Sequence, residues 1–418
     1  MTSRCLAACV AASALIAALP AHSAGSPTGF RFEDVTETHL PDAPGRNTMD
    51  VVAIDLDGDG RPDIVTAQEF LLNKILMNEG GGRFRDASHL LEPLSAEELE
   101  AGPPQLRGPG FGHDSEDVSV ADFDGDGLLD LIIVSEDDVK FGRREVHEYY
   151  RGTPDGFKRV RGVLPDTEAN AVAHADVNGD GCLDVLIAGA GQDRLLIGDC
   201  RGGFVDESSA RLPRESATAQ DAEFADLNGD GHLDLVLGLE GGHALWINDG
   251  TGVFRDETAE RLPDPGNVEA RKVAAVDIDG DGHLDLYFSH VAWQGRQGQD
   301  RLLINDGAGR FRDETAERIP AETQTTLDAR FADLDGDGHL DMVRANFGPV
   351  TIWLNDGQGR FRDVTGEVLG DAITGPNLAI SLTDFDGDGR VDLYVGQLKG
   401  PQGGPEIRDR LLLNRPTA

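Results

Sequence analysis

An all-β fold, a seven-bladed β-propeller of four-stranded antiparallel blades, is predicted from three observations. A nine-residue phrase, D-x-[DN]-G-D-G-x-x-D, recurs seven times, each copy followed by a β-rich apolar run. A second phrase, seen as Leu302 to Asp313, Leu245 to Asp256 and Ile352 to Asp363, lies between its copies, with looser versions at Ile75 to Asp86 and Leu195 to Asp206. The two ends of the chain carry complementary parts of one repeat. Successive nine-residue phrases begin 67, 54, 50, 51, 56 and 51 residues apart, and four short strands in about 50 residues is the pattern of a propeller blade.

The chain opens with the polar start Met1 to Arg4, the apolar run Cys5 to Leu19, and Pro20-Ala21-His22-Ser23-Ala24. This reads as a secretory signal peptide over residues 1–24, cleaved after Ser23 or Ala24. Residues 25–418 then form one exported domain, periplasmic or extracellular. Leu6-Ala7-Ala8-Cys9 resembles a lipoprotein box, but too few apolar residues precede it. No later run approaches the 18 apolar residues of a membrane span. With 76 acidic against 37 basic side chains the formal charge is −39, which argues against nucleic-acid and anionic-membrane partners.

The nine-residue phrase asks for a hard cation. Ca²⁺ takes six to eight oxygens, and carboxylates at alternate positions of a tight loop converge on one point. Positions 1, 3, 5 and 9 supply the side-chain oxygens. They are Asp55, Asp57, Asp59 and Asp63; Asp122, Asp124, Asp126 and Asp130; Asp176, Asn178, Asp180 and Asp184; Asp226, Asn228, Asp230 and Asp234; Asp277, Asp279, Asp281 and Asp285; Asp333, Asp335, Asp337 and Asp341; and Asp384, Asp386, Asp388 and Asp392. Position 7 offers its carbonyl, and glycine at position 6 permits the turn. Up to seven structural Ca²⁺ are expected, because crowding these carboxylates without a cation is electrostatically costly.

In one unit, strand A (Val273 to Val276) precedes the calcium loop, strand B (Leu286 to Phe288) follows it, and strands C (Leu302 to Ile304) and D (Phe311 to Asp313) flank an Asn-Asp-Gly hairpin turn. The last repeat stops at Leu411-Leu412-Leu413-Asn414 without a strand D, while Gly29 to Thr36 matches Gly309 to Thr315. The N-terminal strand is therefore expected to complete the last blade and close the ring.

Antiparallel strands put the calcium loops and Asn-Asp-Gly turns at one end of the disc. Cys182, at position 7 of the third loop, and Cys200, in the turn of the same blade, both fall there and are expected to pair as a disulfide, as suits an exported chain. The opposite face takes the long connections, Ser88 to Glu116, Ser135 to Glu148, His290 to Asp300 and Gly396 to Asp409. Variable loops on a rigid scaffold are where binding resides, and Arg143, Arg144, His147, Trp293 and Arg296 are the candidate ligand-binding residues, beside Phe111, His113 and Lys399. Trp246 and Trp353 fall at a strand-C position and are expected to pack between blades. Asp50, Asp117, Asp221 and Asp328, each five residues before a loop, either line the channel mouth or stabilise turns.

These phrases resemble the FG-GAP or VCBS repeats, which form the propellers of integrin α-chains and of a number of secreted bacterial proteins. The resemblance covers about residues 29 to 414. It implies a seven-bladed propeller with calcium in the A-B loops, and the seven intact copies depart from integrins toward the bacterial and lectin-like members. Three functions are compatible with it. The first is a monomeric, non-enzymatic adhesion or interaction module holding a protein or glycan on the loop-rich face. A calcium-dependent lectin is the second, although the chain lacks an aromatic platform repeated in each blade. The third is a propeller-based polysaccharide lyase or hydrolase, although no Gly-x-Ser-x-Gly elbow, His-Glu-x-x-His helix or phosphate loop is present and no catalytic carboxylate pair stands out.

Overall fold

Each nine-residue phrase is a tight loop between two strands, and the Asp at its ninth position is the first residue of the second strand. The computed structural model describes residues 28–42, 47–96, 98, 110–214, 217–371, 373–398 and 407–417. The expected leader and Lys399 lie outside them. Among the described residues the chain is all-β, with five four-stranded antiparallel sheets and one eight-stranded sheet made of two such groups. The first strands of the seven groups are Thr48–Ile54, Phe111–Ala121, Ala169–Ala175, Ala219–Ala225, Ala270–Val276, Thr326–Ala332 and Asn377–Thr383. Second strands are Asp63–Leu71, Asp130–Ser135, Asp184–Gly189, Asp234–Leu239, Asp285–His290, Asp341–Asn346 and Asp392–Gln397. The third are Lys74–Asn78, Glu148–Thr153, Arg194–Gly198, Gly242–Asn248, Arg301–Asn305, Thr351–Asn355 and Arg410–Pro416.

Groups one to six take their fourth strands from the chain that follows, namely Phe84–Asp86, Gly156–Val160, Phe204–Asp206, Phe254–Asp256, Phe311–Asp313 and Phe361–Asp363. Group seven takes its fourth from the N-terminus: Phe30–Asp34 pairs antiparallel with Arg410–Pro416, from Phe30 opposite Pro416 to Asp34 opposite Leu412. The first strands lie side by side in chain order, and Asn377–Thr383 returns to lie beside Thr48–Ile54.

The core sits between neighbouring groups. Val236 and Leu245 of the fourth pack with Val273, Leu286 and Phe288 of the fifth, all nearly inaccessible to water. Trp246 and Trp353 are fully buried in such layers, as expected. At the end of six of the fourth strands an Asp accepts the N–H of a Ser or Thr two residues on, as Asp313 does from Thr315 at 3.0 Å, opening a one-turn helix. The same hydroxyl accepts an N–H from the third strand, Leu302 to Thr315 at 3.0 Å. One turn is too short for helical periodicity to show in sequence.

The connection expected over Ser88 to Glu116 is shorter in the structure. Its C-terminal part is already strand, beginning at Phe111, and it pairs with the second strand of group one at Glu69 opposite Asp114 and Leu71 opposite Phe111. That pairing fuses the first two groups.

Candidate metal centres

Within each loop the Asp at position 1 organises the turn. Asp277 Oδ1 accepts the N–H groups of Gly280 and Asp281 at 2.8 and 3.1 Å, and its Oδ2 accepts that of Gly282 at 3.0 Å. Gly280 and Gly282 have φ of +75° and +90°, a region that a Cβ disfavours. The Asp at position 9 is buried and ties the loop to its sheet. Asp285 Oδ2 accepts the N–H of Ile278 at 3.2 Å, and its Oδ1 that of Asn305, on the third strand, at 2.8 Å. All seven loops repeat both contacts.

Positions 1, 3 and 9 converge. One carboxylate oxygen each from Asp55, Asp57 and Asp63 lies within 4.8 Å of the others, as in the triads Asp122, Asp124, Asp130; Asp277, Asp279, Asp285; and Asp333, Asp335, Asp341. Two ligands on opposite sides of Ca²⁺, each about 2.4 Å from it, stand about 4.8 Å apart, so the residues fit that ion. Position 5 stands outside these triads; its Oδ1 accepts the N–H of position 7, Asp281 from His283 at 2.9 Å. Burial, with Asp279 and Asp281 beside it, pushes Asp285 up to about 7. Arginines meet part of the charge: Arg151 pairs with Asp124 at 2.6 Å, Arg318 with Asp279 at 3.1 Å, and Arg415 bridges Asp386 and Asp388 at 2.6 and 2.9 Å.

The Asn of the Asn-Asp-Gly turn carries more than a hairpin. Asn305 Oδ1 accepts the N–H groups of Gly307 and Gly309, while its Nδ2 donates to Leu284 O and, in the preceding group's loop, to Leu227 O, both at 2.8 Å. Asn78, Asn248, Asn355 and Asn414 reach back in the same way, Asn78 donating to Phe385 O of group seven. Loops and turns thus share one end of the strands. There, a Cβ on Gly250, Gly307 or Gly357 would meet the ring of His232, His283 or His339 at position 7. In group three the same two positions are Cys182 and Cys200, joined by a disulfide.

Four of the five candidate ligand residues are engaged by other side chains or backbone of the chain. Arg143 is 2% exposed and pairs with the buried Asp138 at 2.6 Å. His147 is 3% exposed; its Nδ1 accepts the N–H of Ser135 at 3.1 Å, so its proton is on Nε2, which donates to Thr167 Oγ1 at 3.0 Å. Burial pushes it down to about 3. Arg296 pairs with Glu269, which also accepts from Trp293 Nε1 at 3.2 Å, and Arg271 stacks on the half-buried indole with 5.1 Å to the ring centroid. Arg144 remains exposed, with Asp166 at 3.3 Å. The four aspartates before the loops are clasps between first strands: Asp117 accepts from Val172 N at 2.8 Å, Asp221 from Val273 N at 2.7 Å and Asp328 from Ile380 N at 2.7 Å, with Asp50 and Val118 N at 3.4 Å. All four also border a pocket with Lys272 and Arg271.

In comparison with known proteins, a family model described as FG-GAP-like repeat matches residues 176–237, 226–288, 291–344 and 333–395. No curated protein matches the chain in sequence. Two solved structures of BBS1N in complex with ARL6DN, soaked with mercury and with lead, align at TM-scores of 0.53 and 0.52 with 11% and 12% identity. They cover 91% and 93% of this chain and 96% and 97% of those chains. A lectin of Agrocybe aegerita that recognises non-reducing terminal N-acetylglucosamine aligns at TM-score 0.47 and 19% identity, over 79% of this chain and 82% of that one.

Proposed function

This chain belongs to the FG-GAP-like repeat family, and on that premise we propose that it is an exported, calcium-stabilised, seven-bladed propeller that holds a partner and performs no catalysis. The convergence of positions 1, 3 and 9 carries the calcium reading. Closure of seven blades into a ring is supported by the neighbouring of Asn377–Thr383 and Thr48–Ile54, and by the Asn78 contact to Phe385 O. Export is supported by the leader-like residues 1–24 and by the disulfide, since disulfides persist in oxidising compartments. A binding role agrees with BBS1N, a likeness in fold that was solved with a protein partner. The partner is a protein or glycan, met on the end of the strands away from the metal loops, where Arg144 is exposed. Calcium here is structural: the loop oxygens are spent on backbone N–H groups and on one another's ion.

Chelation is the test. Each site held at a hundred times its Kd adds about 2.7 kcal/mol to stability, so excess EGTA should lower Tm sharply; an unchanged melt would overturn the calcium reading.

A further inference from the structure

We propose that Asp114, Glu136 and Asp137, with Glu69 beside them, form a further divalent-cation site, outside the nine-residue loops, at the joint between the first two groups. One carboxylate oxygen from each of the first three lies within 4.8 Å of the others, as close as in the repeated loops. Asp114 is 3% exposed and makes a second, independent point. Its Oδ2 accepts the N–H of Asp137 at 3.2 Å, while its Oδ1 is buried with no hydrogen-bond partner among the described residues. A buried carboxylate oxygen left so is costly, and a cation among these three residues would occupy it.

The surrounding charge agrees. Glu69 faces Asp114 across the joint and adds a fourth carboxylate beside the three. Among the described residues two cations face the cluster: Lys140 bridges one oxygen of Asp137 to Glu168 at 2.7 and 2.8 Å, which leaves the other oxygen of Asp137 for an ion, and Arg271 pairs with Glu269 at 3.2 Å. Asp138 is no part of the site, because His113 and Arg143 take its oxygens at 3.0 and 2.6 Å. The donors are all carboxylates, which selects a hard ion of calcium's class over zinc or copper. Bound there, the ion cross-links the extended second strand of group one, the start of Phe111–Ala121 and the Glu136–Asp137 turn. These lie at the opposite end of the strands from the repeated loops.

Crystals of the full chain grown with terbium in place of calcium should show an anomalous peak enclosed by Asp114, Glu136 and Asp137. Terbium in the repeated loops with none at this cluster overturns the proposal, and a peak here with empty loops supports it independently of the family reading. Native mass spectrometry in calcium should find one ion fewer in the Glu136→Gln/Asp137→Asn double variant; equal counts overturn it. Should that variant not fold, Glu69→Gln serves instead, with affinity for one ion expected to fall about tenfold as ligand charge is removed, and unchanged affinity counting against the site.

Discussion

His147 shows what a single side chain does when read in its surroundings and not by its type. Its Nδ1 caps the end of a second strand, the service that Asn73 performs for Gln68 N at 2.9 Å, Asp300 for His290 N at 2.8 Å and Asp409 for Gln397 N at 2.9 Å. Three different residue types fill this one role at variable distances from the strand, so no spelling in the sequence announces it. The pairing of Arg143 was not legible for a similar reason, since its partner Asp138 lies on a five-residue helix within the long connection Ser135 to Glu148. His147→Ala strands the Ser135 N–H in the interior and should cost about 1–3 kcal/mol, whereas His147→Asn, as in group one, should cost much less; urea melts of the two variants decide it. The histidine also gives acid sensitivity. Its folded value of about 3 lies below the ordinary 6.5, so its contribution is complete above pH 6.5 and is lost as pH falls through the interval toward 3. The Asn variant should therefore lose less stability than wild type between pH 6 and 4.

At the scale of strands and turns, most of the pattern was legible because the repeats spell it out. The second strands begin where the ninth Asp predicts, and the hairpin turns fall at Asn-Asp-Gly. What could not be read was the tie between groups, because Asn305 reaches a carbonyl 78 residues away. Asn305→Ala removes a buried amide that donates two hydrogen bonds and accepts two and should cost about 2–3 kcal/mol, measured as a shift of the urea midpoint. Group three replaces both devices. It has Gly198 at the Asn position, and at the position of Gly250 it has Cys200, whose φ of +56° matches the left-handed turn glycines of its neighbours. The Cys182–Cys200 bond thus stands where groups four to six pack a histidine on a glycine. Reductant should lower the wild-type Tm by the equivalent of about 3 kcal/mol. The Cys182→His/Cys200→Gly variant should fold and show no such response, and a response in that variant would refute the equivalence.

For the whole molecule, the pairing of the two ends was legible because Gly29 to Thr36 repeats the fourth-strand phrase that the last group lacks. The fusion of groups one and two was not, since the third and fourth strands of group one separate Leu71 from Phe111, and Phe111 falls in a connection with no repeat of its own. Deleting residues 28–35 should uncover Arg410–Pro416 and the apolar layer around Phe30 and Phe32, lowering Tm more than any single substitution above. A truncated chain that melts like wild type would show that the terminal strand adds nothing. The same pairing also sets a schedule. Synthesis runs from the N-terminus at about 5–20 residues per second, so Phe30–Asp34 waits some 20–80 s for its neighbour to be made. Until the last residues appear, the nascent chain cannot finish its final sheet, and any factor that carries it elsewhere has that interval in which to act.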